Sequence, residues 1–386
     1  MIRTVSNSSQ SRASIRRAGK RVLMLVSSDM ERDRDLEQRA VGPRRDYFEL
    51  AQQLDAGIYD IGSVQRGWLG GRLTRWFGPG PTHALLAVLK AGRYDVVFSD
   101  SEHVGLFAGF FLRFRPSRPR HVVLAHHLTP SKKHIFVRLG RPGIDAFILH
   151  SEAQREFAIS KLGLPPEMIQ VLPYQVDTEF WKAQDAAEQD VIATAGLEYR
   201  DYETLLAAVE TLPITLRIGA ASNWSRKQNS LRDMTSTDKV TITAYNYDEL
   251  RSVYAQSRFV VVPLLDADFQ AGITTILEAM AMGKAVITTS TKGHCGAVIG
   301  PLWAAGMTQW PDQTQTVEKS TGIYVSPGDE AGLSAAMQFL FENPAIARRL
   351  GANGRREVTR EFTVRQFAER FAGAILGPDH KDEDFN

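Results

Sequence analysis

Short runs of apolar, mostly β-branched residues alternate along this chain with longer stretches of helical periodicity. The first set of runs lies at 21–28, 94–100, 121–126 and 146–151. A second set lies at 191–196, 214–220, 240–244, 259–264, 285–289 and 322–325. Near-continuous apolar runs joined by helices are the signature of strands buried on both faces, as in a parallel sheet covered on both sides. Between the sets, residues 173–188 carry proline, several acids and no sustained periodicity, which marks a hinge. The pattern therefore predicts an α/β chain of two doubly wound, Rossmann-like domains. The first covers residues 21–180 behind a basic tail, 1–20, and the second covers 189–362. Helical segments follow at 331–342 and 345–358, then an amphipathic one within 363–376 that is expected to pack back on the N-terminal domain. The acidic 377–386 reads as a frayed end.

Length agrees with two domains, because 386 residues exceed the size at which one core stops growing. With 43% apolar and 23% charged residues the composition is that of a soluble globular protein. The longest apolar run, 104–112, is far short of a membrane span. The first twenty residues lack the apolar core of a secretory signal. One cysteine, Cys295, rules out an internal disulfide framework and fits a reducing, cytoplasmic compartment.

Charge changes this picture. Residues 1–180 hold 26 Lys and Arg against 18 Asp and Glu, whereas 181–386 hold 20 against 26. A basic half joined to an acidic half suggests that the first faces something anionic, such as a membrane surface or a phosphorylated lipid. Several of those charges belong to the tail, so a solvated tail is the competing explanation. The run 104–114 with Arg113, Arg115, Arg118 and Arg120 has the same two readings. It is an apolar patch resting on a bilayer, or a buried covering helix that ends in solvated arginines.

The candidate chemistry lies in 259–289, which reads strand, loop, helix, strand. Ile273, Ile276, Leu277 and Met280 fall on one buried helical face, and Thr274 and Glu278 share another. Gly272 stands at the helix N-terminus, where free N–H groups favour an anion such as a diphosphate. One turn deeper, the Glu278 carboxylate is placed to accept two hydrogen bonds from a ribose diol. In outline this is a sugar-nucleotide site.

The stretch FQAGITTILEAMAMGKAVITTSTKG resembles the donor-binding signature of the family 4 retaining glycosyltransferases. HSEAQREFAISKLGLPPEMIQVLPYQVDTEFW, GIYVSPGDEAGLSAAMQFLFENP and RRLGANGRREVTREFT support the same likeness, which covers most of residues 146–376. The resemblance implies a GT-B fold of two facing Rossmann-like domains. It implies that Glu278 binds the donor ribose and that Gly272, Ile273 and Thr274, with Thr275 beside them, meet the diphosphate or the sugar. Two departures stand out. Gln270 occupies the place of the family's second acid, and of its phosphate-binding Arg and Lys only Arg200 falls at a matching position, with Leu197 or Glu198 where the Arg belongs. Lys227 or Arg226 is placed to supply the missing charge, unless it is a solvated loop cation.

The family's glycine-rich loop is missing after the first strand, where this chain reads SSDMERDRDLEQRAVGPRRDYFEL. Acceptor-side candidates come from strand ends, where doubly wound folds place ligands. His126 leads, followed by Glu102, then Asp100 and His103, and each has a hydrogen-bonded loop role as its alternative. Asp100 is also a plausible helix N-cap. No HExxH, clustered Cys/His or well-placed DxD motif is present, so transfer without a metal is expected. The implied reaction moves a sugar from a UDP- or GDP-sugar to a hydroxyl of a lipid-linked or polysaccharide acceptor. A sugar-nucleotide 2-epimerase of the same architecture and a non-catalytic sugar-nucleotide-binding protein remain as alternatives. The long stretch 294–319, with Trp303 and Trp310, is open between a lid and a partner surface.

Overall fold

The computed structural model describes residues 19–39, 41–220, 236–294, 296–311 and 316–377. They form two compact units, one from segments up to Ala40, Arg44–Pro173 and the C-terminal part from Val364, the other from Tyr174–Thr363 with Val41–Pro43.

The first unit is a six-stranded sheet of β1 (Val22–Val26), β2 (Gly57–Asp60), β3 (Val96–Ser99), β4 (Arg120–Leu124), β5 (Ala146–Leu149) and β6 (Ile169–Val171). Their order is β2-β1-β3-β4-β5-β6 and every pair is parallel. Strand β1 is buried at every position because alternate residues enter opposite cores. Val22, Met24 and Val26 pack with the helices Asp46–Leu54 and Val364–Leu376, and Leu23 and Leu25 with Pro79–Lys90 and Glu102–Leu112. The last helix thus covers the N-terminal sheet, as its place beyond the last strand led one to expect. Phe367 stacks on Phe371 at 3.9 Å, and Phe371 meets Phe98 edge-on at 6.3 Å.

The second unit holds β7 (Val191–Ala195), β8 (Thr215–Gly219), β9 (Val240–Thr243), β10 (Val260–Val262), β11 (Val286–Thr289), β12 (Leu302–Trp303) and β13 (Gly322–Val325). They run parallel in the order β12-β13-β11-β10-β7-β8-β9.

The chain passes from one unit to the other at Pro173 and Tyr174, short of the expected boundary at 180. The segment read as a hinge is part of the second unit's core. Trp181 is fully buried against Phe180, Tyr247 and Tyr254, and the Val176 N–H donates to the Phe362 carbonyl at 2.8 Å. Aromatic anchoring of this kind leaves no periodicity to detect.

The described part of 294–319 adds β12 to the sheet edge, and Trp303, fully buried, packs on Phe339 at 4.6 Å. The buried Asn353 turns its amide nitrogen to the carbonyls of Val317, Glu318 and Ser320 at 2.9, 3.0 and 2.7 Å. The described part of this stretch is anchored to the second unit by β12, Trp303 and the Val317 to Ser320 carbonyls, while Leu302 and most of 304–309 are exposed. Asn353→Ala leaves those carbonyls without their donor and is expected to cost about 1–3 kcal/mol. Urea unfolding checks this.

Candidate functional site

In the second unit, β10 leads through a short loop to Gly272, the N-cap of the helix Ile273–Ala281. Gly272 has φ +74°, a left-handed conformation that favours glycine. A Cβ there would lie 2.9 Å from both Leu264 Cδ2 and Val262 Cγ1, so the turn leaves no room for a side chain. Gly272→Ala is therefore expected to destabilise this unit by about 1–2 kcal/mol and to weaken nucleotide binding. Thermal unfolding and calorimetry read the two effects.

Ile273, Ile276 and Leu277 are buried in the core, while Thr274 is exposed at the first turn. Thr275 points inward, donating to the Ala195 carbonyl at 3.4 Å and accepting from Arg200 at 3.1 Å. Its role is to tie the helix start to the end of β7.

Glu278 is buried, and among the described residues no group donates a hydrogen bond to its carboxylate. Burial pushes its pKa up to about 8, against the pull of the Arg200 charge. A buried carboxyl without donors has acceptor capacity that the described residues leave unused.

Arg200 does reach the helix start, but its fork is occupied. Nε donates to the Ala195 carbonyl at 2.9 Å, one terminal nitrogen to the Glu198 carbonyl at 2.9 Å and the other to Thr275. With only 6% of its surface exposed, it braces the Gly196 turn and offers its charge at close range to the helix N-terminus. It is not the open loop cation that a phosphate clamp suggests. Lys227 and Arg226 lie outside the described residues.

Gln270 lines a small cleft together with Ile276, Thr289, His294, Val298 and Tyr324.

In the first unit the ends of β3, β4 and β5 converge. Glu102 is buried and accepts the His126 backbone N–H at 3.0 Å and Lys133 Nζ at 2.7 Å, and Lys133 also donates to the His127 carbonyl at 2.7 Å. Burial raises the Glu102 pKa, but the positive charges of His126 and Lys133 and the lysine hydrogen bond outweigh it and hold the value at about 2. A carboxylate that stays ionised and doubly bonded positions the His126 loop and is unsuited to proton transfer.

Asp100 is different. It accepts from the Ser27 N–H at 3.0 and 2.9 Å and from Ser27 Oγ at 3.1 Å, and burial pushes its pKa up to about 7, helped by the charges of Asp46 and Glu102. It is not the helix N-cap, which is Ser101, accepting from the His103 N–H at 3.2 Å. His103 is the neighbour of Glu102, at 3.8 Å from its carboxylate.

His126 is exposed, with Nε2 3.2 Å from the Asp100 carbonyl. That carbonyl only accepts, so Nε2 carries a proton. Its ring lies 5.6 Å from that of His150, a residue not among the sequence candidates. His150 is buried, bonded through Nδ1 to the Leu172 carbonyl at 2.8 Å, and held neutral by burial, with a pKa near 3. It ends β5 and opens HSEAQREF, so extending the strand-end rule from β3 and β4 to β5 finds it.

Two units of this kind, each a parallel sheet flanked by helices, define an α/β fold of the GT-B type. The solved structures agree: sucrose-phosphate synthase from Thermosynechococcus elongatus has a TM-score of 0.65 at 18% identity, covering 91% of this chain and 97% of that one. The Anabaena HepE protein in complex with UDP and glucose has a TM-score of 0.63 at 15% identity, covering 93% and 100%. Family models match residues 16–180, as Glycosyltransferase Family 4, and 189–343, as Glycosyl transferases group 1. The chain belongs to the family 4, group 1 glycosyltransferases. An MMP alpha-(1->4)-mannosyltransferase from Mycolicibacterium hassiacum is 25% identical over 227 residues. The match takes in 56% of this chain and 49% of that protein, so it spans about half the relative's length.

Proposed function

We propose that this protein transfers a sugar from a UDP- or GDP-sugar to a hydroxyl acceptor, with retention at the anomeric carbon and without a metal ion. The observation that carries the reading is the buried Glu278 carboxylate, with no donor among the described residues, one turn inside a helix whose N-terminus is a glycine in left-handed conformation. The carboxylate takes the ribose diol, and the N–H groups of Gly272, Ile273 and Thr274 take the diphosphate. Arg200, held by its own loop, supplies positive charge behind them. The HepE structures, described as complexes with UDP and with UDP-glucose, and the mannosyltransferase name of the relative support a nucleotide-sugar donor.

His126, set by Glu102 and the Asp100 carbonyl, hydrogen-bonds the transferred sugar or the incoming hydroxyl in this reading. The acceptor is a lipid-linked or polysaccharide intermediate, which the basic first unit meets at the inner face of an anionic membrane.

Incubation with a panel of labelled UDP- and GDP-sugars tests this proposal. Acceptor-dependent release of nucleoside diphosphate, unchanged by a chelator, supports it. Conversion of the donor sugar alone marks an epimerase, and binding without turnover marks a non-catalytic protein; either outcome rejects transfer.

A further inference from the structure

The apolar run 104–114 is not an exposed patch: Val104, Leu106, Ala108 and Leu112 are buried in the first unit's core. The exposed apolar surface of that unit lies elsewhere, on the helix Trp68–Phe77. Trp68, Trp76 and Phe77 are 76%, 84% and 65% exposed. The reason is how the helix is seated. Gly70 is buried against the Val64 carbonyl so closely that a Cβ there would overlap it. With that side pressed on the helix Ile61–Arg66, the turns at Trp68, Arg72 and Trp76, spaced by four, face outward with Leu69 and Arg75. The Arg72 guanidinium lies over the Trp68 ring at 5.3 Å.

The helices packed in succession beside it, Pro79–Lys90, Glu102–Leu112 and Ser131–Gly140, add exposed Leu89, Ile135 and Phe136, with Phe114 just beyond the second. Arg113 stacks over Phe114 at 5.2 Å. The charge of this face is one-sided. Between Asp60 and Asp95 the chain holds five lysines and arginines and no acid, and between Glu102 and Asp145 it holds eight and no acid.

We propose that the helix Trp68–Phe77 is a membrane-docking element that lies in the headgroup region of an anionic phospholipid surface, with Trp68, Trp76 and Phe77 inserted and Arg72 and Arg75 on phosphates. Indole rings, apolar at one end and wet at the other, beside guanidinium groups and an apolar phenyl ring match the interface. A second copy of the chain is the poorer occupant, because a two-fold contact would set Arg72 and Arg75 of this acid-free helix against themselves. The inference names the surface that the membrane contact in the proposed function uses, but needs no sugar transfer to be tested.

The experiment is sedimentation of the full chain with phosphatidylcholine vesicles, with and without phosphatidylglycerol. The chain is expected to sediment only with phosphatidylglycerol present and to be released by salt. Arg72→Gln and Arg75→Gln each lower partitioning about fivefold, and the double change Trp68→Ser, Trp76→Ser lowers it at least tenfold. Nucleotide affinity, read in the other unit, stays at the wild-type value in all of these. Equal vesicle binding by the double variant and the wild type overturns the proposal, as does a wild type that ignores the anionic lipid. Self-association in ultracentrifugation that the double variant loses, without vesicle binding, assigns the face to a second copy and overturns it too. A chain that transfers sugar without binding vesicles defeats this inference alone, and one that binds vesicles without turnover defeats only the transfer reading.

Discussion

Glu278→Ala is expected to lower nucleotide affinity by about 10²- to 10⁴-fold in titration calorimetry. The magnitude follows from two hydrogen bonds from a ribose diol to a charged carboxylate, each worth about 1.5–3 kcal/mol. The ionised form is the acceptor, and the pKa stands at about 8 before ligand arrives. Affinity should therefore rise about tenfold from pH 7 to pH 9, as the carboxylate goes from about a tenth to about nine-tenths ionised. Glu278→Gln removes that pH dependence. The same residue has an opposite effect on stability. A carboxyl whose folded pKa lies above its ordinary value of 4.5 weakens the fold progressively as pH rises toward 8. Glu278→Gln should thus raise the unfolding temperature at pH 8 and leave it unchanged at pH 4, the pattern of a site residue kept against the interest of the fold. Unchanged nucleotide affinity in Glu278→Ala would remove the donor-site assignment.

His126→Ala is expected to reduce kcat by about 10²-fold or more while donor Kd moves less than about twofold. His126 belongs to the first unit and Glu278 to the second, and the imidazole is held in one orientation by the backbone contact to Glu102 and the Asp100 carbonyl. Glu102→Gln should give a milder loss of the same kind, because it loosens the loop without deleting the ring. A His126→Ala enzyme with wild-type kcat would leave the imidazole as a loop residue only.

The strand, loop and helix of 259–289 were legible because each carries a pattern that burial imposes. Val260, Val261 and Val262 are apolar without interruption since both sheet faces are covered, and the helix face of Ile273, Ile276, Leu277 and Met280 repeats at helical spacing. The helix Val364–Leu376 was legible for the same reason. Three strands were not. Gly57–Asp60 and Ile169–Val171 carry Gly, Asp or Gln where the legible strands are continuously apolar, and Leu302–Trp303 has two residues, too few for any periodicity to register.

The site was legible in its positions and less so in its roles. Arg200 was singled out in the sequence as a phosphate ligand, but its hydrogen bonds to the Ala195 and Glu198 carbonyls depend on a turn in which Gly196 takes φ +98° and Tyr199 φ +54°. Glu102 was found at a strand end, yet its low pKa depends on the charges of His126 and Lys133, the latter thirty-one positions along the chain. The exposure of Trp68 and Trp76 follows from the seating of Gly70, whereas the more conspicuous run at 104–112 is core. Sequence pattern reports burial well, and reports poorly the partners that side chains acquire on folding.

The most direct test is a structure of the chain with a bound UDP- or GDP-sugar. The ribose hydroxyls should lie within hydrogen-bonding distance of the Glu278 carboxylate, and the diphosphate should meet the N–H groups at Gly272 to Thr274. Nucleotide bound with its ribose away from Glu278 and its phosphates away from that helix start would contradict the account.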